Sequence, residues 1–225
     1  MKPEKAVLLV GSPRGEKRAS RALGKRLLAG IAERGAVVEI HSIYGAWASE
    51  AKMAALLDAV DAAKLVVFAF PLYVDHLPAL VVRLCERIAA RRGGQRPAAR
   101  PRLAALVQCG FPETIQNQPA IDIMRRFAEL AGFEWAGGLA MGMGGAVEGR
   151  LAGKPSGMLR NVVRGLDLAA AALAEGNPIP PEAVEAFGRS LMPTRLYFAV
   201  ANLNWKRTAR KTGRGIDLYA RPYGD

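Results

Sequence analysis

Residues 65–78 read LVVFAF followed by PLYVDHLP, and this stretch decides the fold. Leu65–Phe70 is apolar without interruption, the pattern of a central parallel strand covered on both faces. The residues that follow, Pro71 to Pro78, break the run with two prolines that bracket Tyr73. Pro78 can start a helix, which carries Leu80, Val81, Leu84 and Ile88 on one side.

The same alternation continues in both directions. Upstream, Lys5–Val10 reads as a strand ended by Gly11-Ser12-Pro13. Helical spacing follows over Ser20–Arg34, then a strand at Val37–His41 and a helix at Ala51–Val60. Downstream, Leu103–Val107 and Glu134–Met141 read as strands flanking a helix at Ile121–Ala131. Such alternation predicts right-handed βαβ units and a doubly wound parallel α/β sheet. Beyond it lie helical patterns at Leu159–Glu175, Pro181–Ser190 and Thr194–Lys211, with Gly176-Asn177-Pro178 as a stop. The expected organisation is an α/β domain over residues 1–175. A helical C-terminal extension over 176–225 is expected to pack on the same domain.

Composition narrows the class. A chain of 225 residues that is 51% hydrophobic can bury a core without disulfides or metal. Cys85 and Cys109 stand in unrelated contexts and show no metal-ligand spacing, as suits a reducing cytoplasm. The first apolar run is too short for a signal peptide, and no run reaches the roughly 20 residues of a membrane span. A cytoplasmic protein is expected. Thirty-two Lys and Arg against 20 Asp and Glu give +12, which favours anionic partners such as a phosphorylated cofactor. The basic residues concentrate at Arg91–Arg102 and Lys206–Arg214 without interleaved aromatics. Solvated helix faces are therefore favoured over a nucleic-acid surface.

In an open parallel sheet the ligand lies beyond the carboxyl ends of the strands, where strand order reverses. The loop Gly11–Ser20 joins a strand to a helix and combines glycines, hydroxyls and cations, the parts that a phosphate dianion needs. The alternative is that Ser20 is only an N-cap and Gly11-Ser12-Pro13 only a turn. Neither G-x-G-x-x-G nor G-x-x-x-x-G-K-[ST] is present, which argues against a dinucleotide-binding turn and a P-loop. Tyr73 in the second loop is a flat wall for a ring system or a rim residue. The third loop, Gln108–Glu113, offers Gly110 for close backbone approach and Phe111 as a second wall, while Cys109 reads as a small core residue. Met141–Gly145 is either a turn or part of a binding site. The pair Cys85 and Arg91 matches a phosphatase spacing, but mid-helix rather than in a phosphate-cradling loop.

Together the three loops resemble the flavodoxin-fold, NAD(P)H-dependent FMN reductases. G-S-P-R-G-x-K-x-x-S at 11–20 is similar to that family's phosphate loop, and P-L-Y-V-D-x-L-P at 71–78 to its second flavin loop. C-G-F-P-E at 109–113 is similar to a signature of one bacterial branch. The resemblance spans roughly residues 5–145. It implies a flavodoxin-like five-stranded parallel sheet of order 2-1-3-4-5 and an FMN site. Ser12, Arg14, Lys17, Arg18 and Ser20 would serve the phosphate. Pro71, Leu72, Tyr73, Val74, Asp75, Cys109, Gly110, Phe111, Pro112 and Glu113 would serve the isoalloxazine, with backbone amides of Leu72–Val74 and Gly110–Phe111 facing the ring. Arg18 and Ala19 depart from the small polar residues usual in the family.

The implied activity is electron transfer from NADPH or NADH to a small-molecule acceptor such as a quinone or flavin. No catalytic side chain is assigned, because the flavin carries the reactive atom, and no metal is expected. Positive charge leans toward NADPH. Two alternatives stand beside this one. An electron-carrier flavodoxin without a nicotinamide site fits poorly, since those carriers are acidic; a cofactor-free module would use the basic surface. Leu196, Tyr197, Phe198, Leu203 and Trp205 would either form a homodimer surface or cover the chain's own sheet.

Overall fold

The structure, a computed structural model, describes residues 4–13, 18–93, 100–147, 149–151, 157–211 and 219–220. Five strands, β1 (Lys5–Val10), β2 (Val37–Ser42), β3 (Leu65–Pro71), β4 (Arg102–Gln108) and β5 (Glu134–Met141), form one parallel sheet of order 2-1-3-4-5. The helices are α1 (Ala19–Ala32), α2 (Ile43–Ala46), α3 (Glu50–Ala62), α4 (Ala79–Arg92), α5 (Gln118–Leu130), α6 (Arg160–Glu175), α7 (Pro181–Gly188) and α8 (Thr194–Lys211). The flavodoxin-like topology expected from the sequence is the observed one.

Every residue of β3 is buried, as its unbroken apolar run requires of a strand sandwiched between two helical layers. Val66, Phe68 and Phe70 face Met53 and Leu56 of α3, Leu84 and Ile88 of α4, and Met124 and Phe127 of α5 within one core cluster. The other face is closed by α1, whose Gly24 sits against Leu8 and Ala69, and by α6, whose Ala170 lies against Gly30 of α1. The edge strand β2 contains no buried residue, and Val37 is 63% exposed.

Between β4 and β5 the register slips, with Leu103 opposite Trp135 but Ala104 opposite Gly137. The extra residue is a β-bulge. Gly137 takes φ +116°, and the bulged Ala136 carbonyl accepts the Ile179 amide at 2.7 Å. This fastens the segment after α6 to the edge of the sheet.

Two differences from the sequence reading concern local detail. α1 starts at Ala19 with Arg18 as its N-cap, so Ser20 lies inside the first turn and is not the cap. The short helix α2 was not expected, because four residues show no period. Arg91 lies on an exposed helix face, where it pairs with Asp58 at 2.6 Å and Asp61 at 2.7 Å, whereas Arg102 is buried.

Residues 1–190 form one compact unit and residues 191–225 a second. The second unit is described mainly by α8, in which no residue is buried and Leu196, Phe198 and Trp205 are each more than half exposed. Among the described residues no helix is long and apolar enough to cross a membrane.

Candidate functional site

Strand order reverses between β1 and β3, and their carboxyl ends open there into a cleft of about 200 Å³. Seven residues read from the sequence line it: Ser12 and Arg18 from the first loop, Pro71, Leu72 and Tyr73 from the second, Cys109 and Gly110 from the third. Two more, Ala19 and Gln108, were not read as site residues. Val74, Asp75, Phe111, Pro112 and Glu113 belong to the same loops but do not line the cleft. Ser20 sits behind it, 1% exposed. Arg14 and Lys17 lie outside the described residues.

The first end of the cleft suits an anion. Among the described residues no side chain caps the N-terminus of α1, and Ser12, Arg18 and Ala19 line the cleft where that helix begins. The second end suits a flat ring. Tyr73 is 43% exposed, and a Cβ built on Gly110 would meet nothing within 4 Å, so no neighbouring atom crowds that position. The volume is below the roughly 300–1,000 Å³ of pockets that engulf a ligand. A phosphate joined to an aromatic ring system fits this donor set, and FMN is such a molecule.

The second loop is strained. Val74 and Asp75 have φ of 48° and 56°, forming a two-residue turn closed by Tyr73 and His76, whose amides donate to each other's carbonyls at 2.9 and 3.1 Å. A β-branched residue in the left-handed region costs about 1–2 kcal/mol, and Val74 is 97% exposed, so no packing compensates. Strain of this kind gathers at ligand sites. The Leu72 amide is engaged by Gln108 O at 2.8 Å and the Tyr73 amide by His76 O. Of the three amides read for this loop, Val74 alone has no such acceptor among the described residues.

The third loop is backed by the segment after β5. Met143 donates to Phe111 O at 2.7 Å and Gly144 to Cys109 O at 2.8 Å. A Cβ at Gly142 would stand 2.5 Å from Pro112 O, so only glycine lets the two backbones meet. Met141–Gly145 thus packs its backbone against the third loop.

Neither cysteine is set up as a nucleophile. Burial raises the Cys109 thiol, which is 2% exposed and accepts from Asn117 Nδ2 at 3.3 Å. Burial, with the Glu86 carboxylate adding to it, pushes Cys85 up to about 12, and the phosphatase-like spacing with Arg91 lies along α4. Tyr44, missed in the sequence, has its phenol pKa raised, first by burial and then by nearby Tyr73. Only the fold brings α2 to that loop. Among the described residues no group of His, Cys, Asp and Glu could hold a metal ion.

The family model described as "Flavodoxin-like fold" matches residues 4–135. No curated protein matches the sequence. Among solved structures, a protein described as a quinone reductase from Klebsiella pneumoniae aligns with TM-score 0.56 and 16% identity, covering 79% of this chain and 87% of its own. An FMN-dependent NADH-azoreductase from Bacillus anthracis, in complex with FMN, gives TM-score 0.56 and 16% identity over 76% of this chain and 99% of its own. A flavodoxin from the domain Archaea gives 0.52 and 12% over 76% and 97%. At these identities the likeness is one of fold.

Proposed function

The chain belongs to the flavodoxin-like fold family, and from that premise we propose that it is an FMN-dependent oxidoreductase. It would pass electrons from NADPH or NADH to a small-molecule acceptor such as a quinone or a flavin. The observation that carries this reading is the two-ended cleft: the first turn of α1 with Ser12 and Arg18 at one end, Tyr73 and the side-chain-free Gly110 at the other. The FMN-bound azoreductase and the quinone reductase that share the fold support it.

When bound, FMN supplies the redox chemistry. The chain's own residues bind and orient. Arg18 and the α1 amides neutralise the phosphate, with Arg14 and Lys17 assigned to the same task from sequence alone. Tyr73 offers a face to the ring, and the Val74 amide is a donor toward its polar edge. The open side of the cleft serves donor and acceptor in turn. The two free thiols agree with work in the reducing cytoplasm. Light scattering separates the two readings of the tail: a concentration-independent 24 kDa species means a monomer.

The test is purified protein titrated with FMN and then mixed anaerobically with NADPH or NADH. A flavin-loaded protein that is bleached by either nicotinamide, with parallel-line steady-state kinetics against quinones, supports the enzyme. FMN-loaded protein that stays oxidised with both nicotinamides sinks it and leaves the carrier reading. Protein that takes up no flavin leaves neither.

A further inference from the structure

Gln108, the last residue of β4, is held from three sides. Its carbonyl accepts the Leu72 amide at 2.8 Å and so fixes the start of the second loop. Its Nε2 donates to Ser20 Oγ at 3.3 Å, inside the first turn of α1. Its Oε1 occupies the place where a side chain at 144 would begin, 1.6 Å from a Cβ built on Gly144. The carboxamide therefore lies on the glycine backbone that buttresses the third loop. Ser20 is buried and absent from the cleft wall, whereas Gln108 is half-buried and on it.

From this we propose that Gln108 is the side chain that selects the phosphate-bearing end of the cofactor, with Ser20 and Gly144 as positioning residues for its carboxamide. The inference rests on the FMN reading above. A carboxamide nitrogen carries two donors. One is committed to Ser20, which fixes the amide plane, and the other remains for the ligand beside the α1 N-terminus. The donor is neutral and adds to the field of the helix amides without competing for Arg18. Ser20, which the sequence assigns to the phosphate directly, acts through Gln108.

The experiment measures affinity of the apo protein for FMN and for riboflavin, which lacks the phosphate, by quenching of flavin fluorescence. Circular dichroism melts check that each variant is folded. Wild type is expected to prefer FMN. Gln108→Leu should lower that preference by about tenfold or more, as loss of a hydrogen bond to a charged group implies, while riboflavin affinity holds. Gln108→Glu should lower it further, because the carboxylate repels the dianion. Gly144→Ala should lower it by displacing a carboxamide whose chemistry is unchanged, and Ser20→Ala by releasing it. Ser20→Thr, which restores the acceptor, should recover the preference.

A folded Gln108→Leu that keeps the wild-type preference overturns the inference and leaves the FMN reading standing. So does a parallel fall in FMN and riboflavin, which would mark Gln108 as merely structural. A wild type that binds no FMN overturns the cofactor reading and the inference with it.

Discussion

At the amino ends of the strands, arginine donors are taken up within the protein. The Arg102 guanidinium, 5% exposed, donates to Leu173 O at 2.8 Å and Asn177 O at 3.0 Å, closing the end of α6. Arg92 donates to Ala131 O at 3.0 Å and lies over the Phe133 ring at 4.3 Å. At the carboxyl ends the backbone is left-handed at Val74, Asp75 and Met143, and among the described residues no side chain caps α1, whose first residues line the cleft. One end of the sheet uses its polar groups to stabilise the fold; the other carries strain and donors arranged around a cleft. In a parallel sheet all helix N-termini that follow strands gather at one end, so the division follows from topology.

The sharpest way to break this contrast is at the amino end. Arg102→Leu withdraws the donors from two carbonyls at a buried site and should cost about 3 kcal/mol. That corresponds to a melting temperature lower by about 6–12 °C for a chain of this size, with the FMN-to-riboflavin preference intact. A lost preference would show that the two ends are not independent. At the carboxyl end, Arg18→Ala should weaken FMN by about 2 kcal/mol and leave both riboflavin affinity and the melt nearly unchanged. A large drop in stability would move Arg18 to the structural side. The smallest expected effect has the opposite sign. Val74→Gly should raise stability by about 1 kcal/mol, by relieving a left-handed β-branched residue, and flavin affinity should not improve. A destabilised Val74→Gly would mean that the strain assigned to this turn is not there.

The sheet was legible because its central strands are unbroken apolar runs ended by glycine or proline; Leu65–Phe70 has no other reading at that length. The phosphate end of the cleft was legible in part, since glycines and hydroxyls between a strand and a helix report a helix N-terminus directly. Gln108 was not legible. A glutamine closing an apolar run looks like the point where a strand meets water, and its meaning comes from Ser20, 88 residues away, and from Gly144. Met141–Gly145 was ambiguous for the same reason: a glycine run is consistent with mobility until the backbone it touches is known. Of the two readings of Ser20, the cap is ruled out because Arg18 begins the helix one residue ahead of Ala19, which no local pattern at Ser20 reports.

The β5 buttress also sets a clock. The cleft is made of residues near 12, 72 and 110, but the segment that holds the third loop in place ends near Gly144. At about 5–20 residues per second of synthesis, the first loop waits roughly 7–26 s before its last support leaves the ribosome. Until then β1 has both neighbours in the sheet but no finished cleft to offer, and a phosphorylated ligand meets a partial surface. On the FMN reading, loading would therefore come late, after the fifth strand docks, when only α6, α7 and the tail are still to come.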